Sequence, residues 1–108
     1  MEIRRTGALF SGGRVEIPVF DGAPGAARMN EFYAAYRAAV LDFAASLADS
    51  RRVWADCAVR EDGACVTVVC TIRLRRRGRT EATLTLTHVW EDGLLVPPER
   101  RGKRKKTR

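Results

Sequence analysis

The clearest pattern in this sequence is a set of apolar residues between positions 26 and 48 that recur at steps of one, three or four residues. Such spacing places apolar side chains on one face of an α-helix. The alanines between them raise the intrinsic helix propensity, and charged residues mark the opposite face. We therefore predict one long amphipathic helix over residues 26–48. Its apolar face consists of Met29, Phe32, Tyr33, Tyr36, Val40, Phe43 and Leu47.

Alternating apolar and polar residues predict strands on both sides of this helix. Before it, residues 2–20 predict a β-hairpin that turns at Ser11-Gly12-Gly13. Because Pro18 has no N–H to donate to a strand ladder, we expect the second strand of this hairpin at a sheet edge. After the helix, residues 53–90 contain three strand-like runs, which predict an antiparallel meander.

The two turns of the meander set its register. Asp62-Gly63 is typical of a two-residue type I′ turn, which pairs Cys57 with Val68 on an apolar inner face. A three-residue loop would instead place Asp56 opposite Val68 on that face, so the two-residue register is favoured. The second turn, Arg76-Arg77-Gly78, predicts a three-residue loop, since only an odd number of loop residues keeps the apolar faces of its strands together.

These elements predict an α+β fold of two layers, in which a β-hairpin, the long helix and a three-stranded meander follow one another. The helix is expected to cover the inner face of the meander. The 108 residues are enough for one compact domain, which we place at residues 1–96.

Charge separates the end of the chain from this domain. The net charge is +7, and residues 97–108 contain seven of the 20 basic residues beside two prolines. Such a segment cannot bury enough apolar surface to offset the entropy of ordering, so a disordered basic tail is predicted there. No signal-peptide pattern and no apolar run of membrane-spanning length is present, which favours a cytoplasmic protein with no membrane span.

Three short segments carry a resemblance to a known family. They are Ile17-Pro18-Val19-Phe20, Met29-Asn30-Glu31-Phe32-Tyr33 and Thr87-His88-Val89-Trp90-Glu91-Asp92-Gly93. Over residues 14–96 the chain resembles the RsiV-like domain of unknown function, the extracytoplasmic part of some anti-sigma factors. The resemblance implies one helix on an antiparallel sheet and a binding rather than a catalytic role. The anchor of the lysozyme-sensing members and the region that usually follows their Trp turn are not found here, so lysozyme recognition is not carried over to any residue.

Catalytic and metal chemistry have weak support in this sequence. Cys57, Cys65, Cys70 and His88 are residue types that bind zinc, but their spacing does not form the close pairs of a zinc knuckle. Buried cysteines that act as small apolar side chains are the favoured alternative. His88, the single histidine, has no predicted carboxylate or hydroxyl partner for acid–base work. We therefore expect no enzyme activity, no metal and no cofactor.

Two surfaces are candidates for binding. Basic residues of the second meander hairpin and of the tail could neutralise the phosphates of a nucleic acid or another polyanion. They are Arg73, Arg75, Arg76, Arg77, Arg79, Arg100, Arg101, Lys103, Arg104, Lys105, Lys106 and Arg108. On the outer sheet face, Trp54 is predicted beside Val69 and Thr71, where an exposed aromatic could contact a protein partner.

The sequence thus predicts a small non-enzymatic binding module. In the favoured interpretation, the outer sheet face contacts an unknown protein or a second copy of the chain. In the alternative interpretation, the tail and the arginine-rich hairpin attach the protein to nucleic acid without sequence specificity.

Overall fold

A computed structural model describes residues 2–10, 13–22, 25–47 and 50–97. Within these ranges, six strands and one helix follow one another along the chain. They are β1 (Glu2–Phe10), β2 (Gly13–Asp21), α1 (Ala26–Ala45), β3 (Arg51–Asp62), β4 (Cys65–Arg76), β5 (Arg79–Glu91) and β6 (Leu94–Leu95). No helix in the described part of the chain is long and apolar enough to cross a membrane.

The six strands form a single sheet in the order β1-β2-β3-β4-β5-β6. Neighbouring strands are antiparallel except β2 and β3, which run parallel and pair over residues 13–15 and 53–55. Helix α1 forms the crossover that a parallel connection requires. The sheet curls into a half-barrel. The predicted two-layer α+β fold is therefore wrong, because the N-terminal hairpin belongs to the same mixed sheet as the other strands and strands dominate the structure.

The inner face of the sheet and one side of α1 form a single core. Helix α1 packs mainly on β2 and reaches β3. Three of its four buried residues, Met29, Tyr33 and Val40, belong to the predicted apolar face, and the fourth is Ala44. Phe43, which was also assigned to that face, is 49 % exposed. The buried apolar residues are Val15, Ile17, Phe20, Met29, Tyr33, Val40, Ala44, Val53, Ala55, Cys57, Val66, Val68, Cys70 and Trp90.

Both ends of α1 are fixed by hydrogen bonds. Near the start, the Asn30 side chain accepts from Phe20 N–H at 2.8 Å and donates to Phe20 C=O at 2.9 Å, which ties the helix to the end of β2. The helix ends at Ala45 rather than at residue 48, since the Ser46 hydroxyl and backbone N–H both donate to Phe43 C=O. These bonds hold a carbonyl that would otherwise accept from the next turn of a longer helix.

Pro18 does not mark a sheet edge, because β2 lies between β1 and β3. The pairing of β2 with β3 nevertheless stops at Val15, so the β3-facing side of β2 carries no ladder at Pro18. A residue without an N–H is tolerated at such a position.

The first meander turn lies one residue later than predicted. Asp62 pairs with Cys65, so the turn residues are Gly63 and Ala64, and Gly63 alone has a positive φ, of 64°. A glycine at the first central position is typical of a type II′ turn. The shift brings Val53 opposite Leu74 instead of Ile72, the partner in the predicted register, so this pair on the inner face is apolar in both registers.

The second meander turn is shorter than predicted. Arg77 and Gly78 both have a positive φ and form a two-residue turn of type I′ character, and Arg76 pairs with Arg79. A register shift at Leu74 and Arg75 then supplies the extra residue that keeps the inner faces together. A third turn of the same character, at Asp92-Gly93, leads into β6, a strand that the sequence analysis did not predict.

Candidate functional site

An opening with an almost wholly apolar lining lies between the second half of α1 and the inner face of β4 and β5. It has a volume of about 420 Å³. It opens there because α1 packs over β2 and β3 and leaves the far side of the half-barrel uncovered. We call it the groove. Its lining residues are Tyr36, Ala39, Val40, Phe43, Ile72, Leu74, Ala82, Thr83, Leu84 and Leu86.

Apolar side chains at the rim of the groove are unusually exposed. Phe43 from α1 is 49 % exposed and Leu84 from β5 is 54 % exposed. Scattered single apolar residues are normal on a protein surface, but these two line one continuous apolar opening. The groove can therefore remove apolar surface of a ligand from water.

Two weakly acidic groups, one lining the groove and one buried beneath it, stay protonated. The Tyr36 hydroxyl is buried near the Cys70 thiol and has no hydrogen bond of good geometry within the described ranges. Burial raises the pKa of Tyr36, and it raises the pKa of Cys70 to about 11. Because the thiolate and not the thiol is the nucleophile, Cys70 is suited to packing and not to covalent chemistry at neutral pH.

His88 lies in an aromatic cluster that joins α1 to β5. The Tyr33 hydroxyl accepts a hydrogen bond from Trp90 Nε1–H at 3.0 Å and lies 3.2 Å from His88 Nδ1. The Phe32 ring meets His88 and Trp90 edge to face. The sequence analysis missed the Tyr33 hydroxyl as a partner of His88, because the two residues are 55 positions apart. Burial raises the pKa of Tyr33, so this hydroxyl is a neutral hydrogen-bonding group.

The three cysteines do not come together as a metal site. Cys57 and Cys70 lie directly opposite each other on the inner face, one pair away from the predicted partners, whereas Cys65 is at the start of β4. Among the residues that the structure describes, no group of three or more histidine, cysteine or acidic residues could hold a metal ion.

Trp54 lies on the outer face, as predicted, but beside different neighbours. The corrected register pairs it with Arg73 instead of Thr71. The Arg75 guanidinium lies over its ring, 5.6 Å from the centroid. Thr71 pairs with Asp56, and Val69 is one pair further from Trp54 than expected. The protein contact at Trp54, Val69 and Thr71 stays a prediction, and the corrected register moves Trp54 toward the arginines.

The hairpin arginines form one basic end of the sheet together with two residues that the sequence analysis missed. The first residues of β3 face the last of β4, so that Arg51 pairs with Arg76 and Arg52 with Arg75. Arg76 also pairs with Arg79. The arginines at 51 and 52 join this cluster only once the register of β3 and β4 is known.

We call these strand ends the arginine end. It comprises Arg51, Arg52, Arg75, Arg76, Arg77 and Arg79. Glu81 contacts two of them, at 3.5 Å from Arg51 and 3.9 Å from Arg76. Arg73 lies next to the arginine end on the outer face, and its guanidinium forms a salt bridge with the Asp56 carboxylate at 3.0 Å.

The predicted tail residues Arg100, Arg101, Lys103, Arg104, Lys105, Lys106 and Arg108 lie outside the described residues. No protein-family model matches the sequence, and comparison with curated proteins and with solved structures gives no significant match. The resemblance to the RsiV-like domain therefore stays a prediction, and the sheet is mixed where that resemblance implies an antiparallel one.

Proposed function

We propose that this protein is a binding module that holds a small apolar ligand in the groove. The observation that carries this proposal is the groove itself, whose volume of about 420 Å³ falls within the usual range of small-molecule sites. Such sites are frequent in the mouths of barrels, where a curled sheet and a covering element leave a gap.

The lining indicates the chemical class of the ligand. Apart from Thr83 and the Tyr36 hydroxyl, the lining side chains are hydrocarbon, and that hydroxyl is buried beneath the surface. A ligand therefore gains affinity from the burial of its own apolar surface, at roughly 25 cal/mol for each Å² removed from water. Any charged group of the ligand belongs at the rim, near Phe43 and Leu84, where it stays in water.

A fluorescence titration with N-phenyl-1-naphthylamine tests this proposal. The probe is uncharged, so it does not respond to the basic charge of the protein. We expect saturable binding with one site per chain. In the variant Ala39→Phe, a ring at a groove-lining position fills the opening, and binding should weaken about ten-fold. Ala38→Phe is the matched control, since Ala38 is exposed on α1 and does not line the groove.

Two results would overturn the proposal. One is the absence of saturable binding by the unmodified chain. The other is equal affinity of the Ala39→Phe and Ala38→Phe variants, which would place the probe outside the groove. Thermal unfolding gives an independent readout, because a ligand that binds only the folded state raises the melting temperature, and this shift continues to grow with the logarithm of the ligand concentration above Kd.

A further inference from the structure

A second binding surface lies at the end of the sheet where β3 begins and β4 ends, with Arg52, Arg75 and Trp54 on the outer face and Arg51 and Arg76 toward the inner face. We infer that the arginine end, together with Trp54, binds single-stranded nucleic acid. The inference extends beyond ligand binding in the groove and rests on different residues.

The arginine end concentrates positive charge on neighbouring strands. Like charges directly opposite each other on neighbouring strands destabilise a sheet. Here Arg51 faces Arg76, Arg52 faces Arg75, and Arg76 also faces Arg79. Glu81, at 3.5 Å from Arg51 and 3.9 Å from Arg76, offsets part of this positive charge. An anion placed between such arginines removes part of this repulsion and accepts charge-assisted hydrogen bonds. A row of phosphates fits, because the arginines are spread over three adjacent strand ends.

An exposed aromatic ring lies beside these arginines. Trp54 follows Arg52 by two residues on the same outer face and pairs with Arg73. The Arg75 guanidinium lies over its ring at cation–π distance. Trp54 is 37 % exposed. An arginine plane on an aromatic ring is a platform on which an unpaired base can continue the stack. Bases of a duplex are already stacked on each other, so this arrangement favours a single strand.

The arginines and the aromatic ring occur together at one end of the sheet. Proteins that bind single strands without sequence preference pair a basic track along the backbone with aromatic side chains under the bases. The arginine end supplies the track, and Trp54 lies at its border on the outer face. A nearby opening of about 370 Å³, lined by Arg76, Arg77, Arg79, Thr80 and Glu81, gives the strand a concave path over the hairpin.

The test is a fluorescence-anisotropy titration of a short labelled oligonucleotide with the full chain at several salt concentrations. The double variant Arg52→Ser/Arg77→Asn removes two charges at the arginine end, and asparagine tolerates the positive φ at position 77. The matched control, Arg28→Ser/Arg60→Ser, removes two charges elsewhere. Arg60 is on β3 at about 26 Å from Arg52, from the rise of a strand per residue.

For the double variant we expect weaker binding and a salt slope that is smaller by about 1.4, since each phosphate contact to a single strand contributes about 0.7. The control variant should keep the slope of the unmodified chain, because Arg28 and Arg60 lie outside the arginine end. Residues 98–108 are present in every protein, so their contribution to the slope is the same throughout. An equal loss in both double variants would overturn the inference, since it would show that binding follows net charge alone.

Trp54→Ala and Trp54→Phe test the stacking step. Loss of the ring should weaken binding at least about five-fold, and phenylalanine should retain most of the affinity. Oligonucleotide should also quench tryptophan fluorescence in the unmodified chain but not in Trp54→Phe, because Trp90 is buried. Equal affinity of the alanine variant, or equal binding of heparin and duplex in competition, would overturn the assignment to single strands.

Discussion

Trp90 on β5 donates its indole N–H to the Tyr33 hydroxyl on α1 at 3.0 Å, and both residues are almost completely buried. The same hydroxyl lies 3.2 Å from His88 Nδ1. Since the oxygen accepts from Trp90, the tyrosine hydrogen is available for an unprotonated Nδ1. This bond links the helix to β5, a strand on the side of the sheet away from β2, on which the helix mainly packs.

Tyr33→Phe should destabilise the protein by about 1–3 kcal/mol, because it leaves the buried Trp90 N–H without its acceptor. Urea unfolding followed by far-UV circular dichroism measures this change, and the m-value should stay constant. An unchanged midpoint would show that water or another group replaces the hydroxyl.

Tyr36→Phe should have the opposite effect, although Tyr36 lies less than one helical turn from Tyr33. The Tyr36 hydroxyl is buried without a well-formed hydrogen bond, and a buried unsatisfied polar group is unfavourable. We expect the free energy of unfolding to stay the same or to rise by up to about 1 kcal/mol in the same urea experiment. A loss comparable to that of Tyr33→Phe would reveal a partner for this hydroxyl.

Gly13→Ala should disrupt the parallel pairing that makes one sheet from two sets of strands. Gly13 pairs with Val53 and has a φ of 140°, and a Cβ at this position would overlap the Val53 carbonyl. We expect a loss of more than about 3 kcal/mol, because backbone of β2 or β3 must move.

Gly63→Ala is the control for this effect. Gly63 also has a positive φ, of 64°, but an added Cβ meets nothing within 4 Å. Its cost should be only the conformational one, about 1–2 kcal/mol. Similar losses in both variants would mean that the contact with Val53 is not decisive.

The sequence predicts the parts of this fold that depend on neighbouring residues. The helix, the strand-rich segments and the identity of the inner face follow from local periodicity, and they agree with the structure at positions such as Tyr33 and Val68. The parallel pairing of β2 with β3 does not follow, because Gly13 and Val53 are 40 residues apart and alternation within a strand does not identify its partner. The fold class was wrong for this reason.

The candidate sites depend on the same long-range information. Arginines at 73–79 are visible as a cluster in the sequence, but Arg51 and Arg52 are distant from them along the chain and join them only through the pairing of β3 with β4. The groove was not predicted either. The apolar pattern assigns Phe43 to the core, and its exposure depends on which strands α1 covers.

Alkaline pH should destabilise the protein through groups that line the groove or lie beneath it. The pKa of the Cys70 thiol is raised by burial from its ordinary value of 9.0 to about 11. Between these values the unfolded chain loses this proton and the folded chain keeps it. Stability is therefore complete below pH 9 and falls as the pH rises toward 11. The raised pKa values of Tyr33 and Tyr36 act in the same direction at higher pH.

Urea unfolding under reducing conditions from pH 7 to pH 11, compared between the unmodified chain and Cys70→Ala, separates the thiol from the tyrosines. Alanine leaves a cavity, so the variant should be less stable at pH 7. Its decline between pH 9 and pH 11 should nevertheless be shallower, by at most about 2–3 kcal/mol over this range, since one pKa unit corresponds to about 1.4 kcal/mol. Parallel curves would show that Cys70 ionises equally in the folded and unfolded chain, and that the region beneath the groove is open to water.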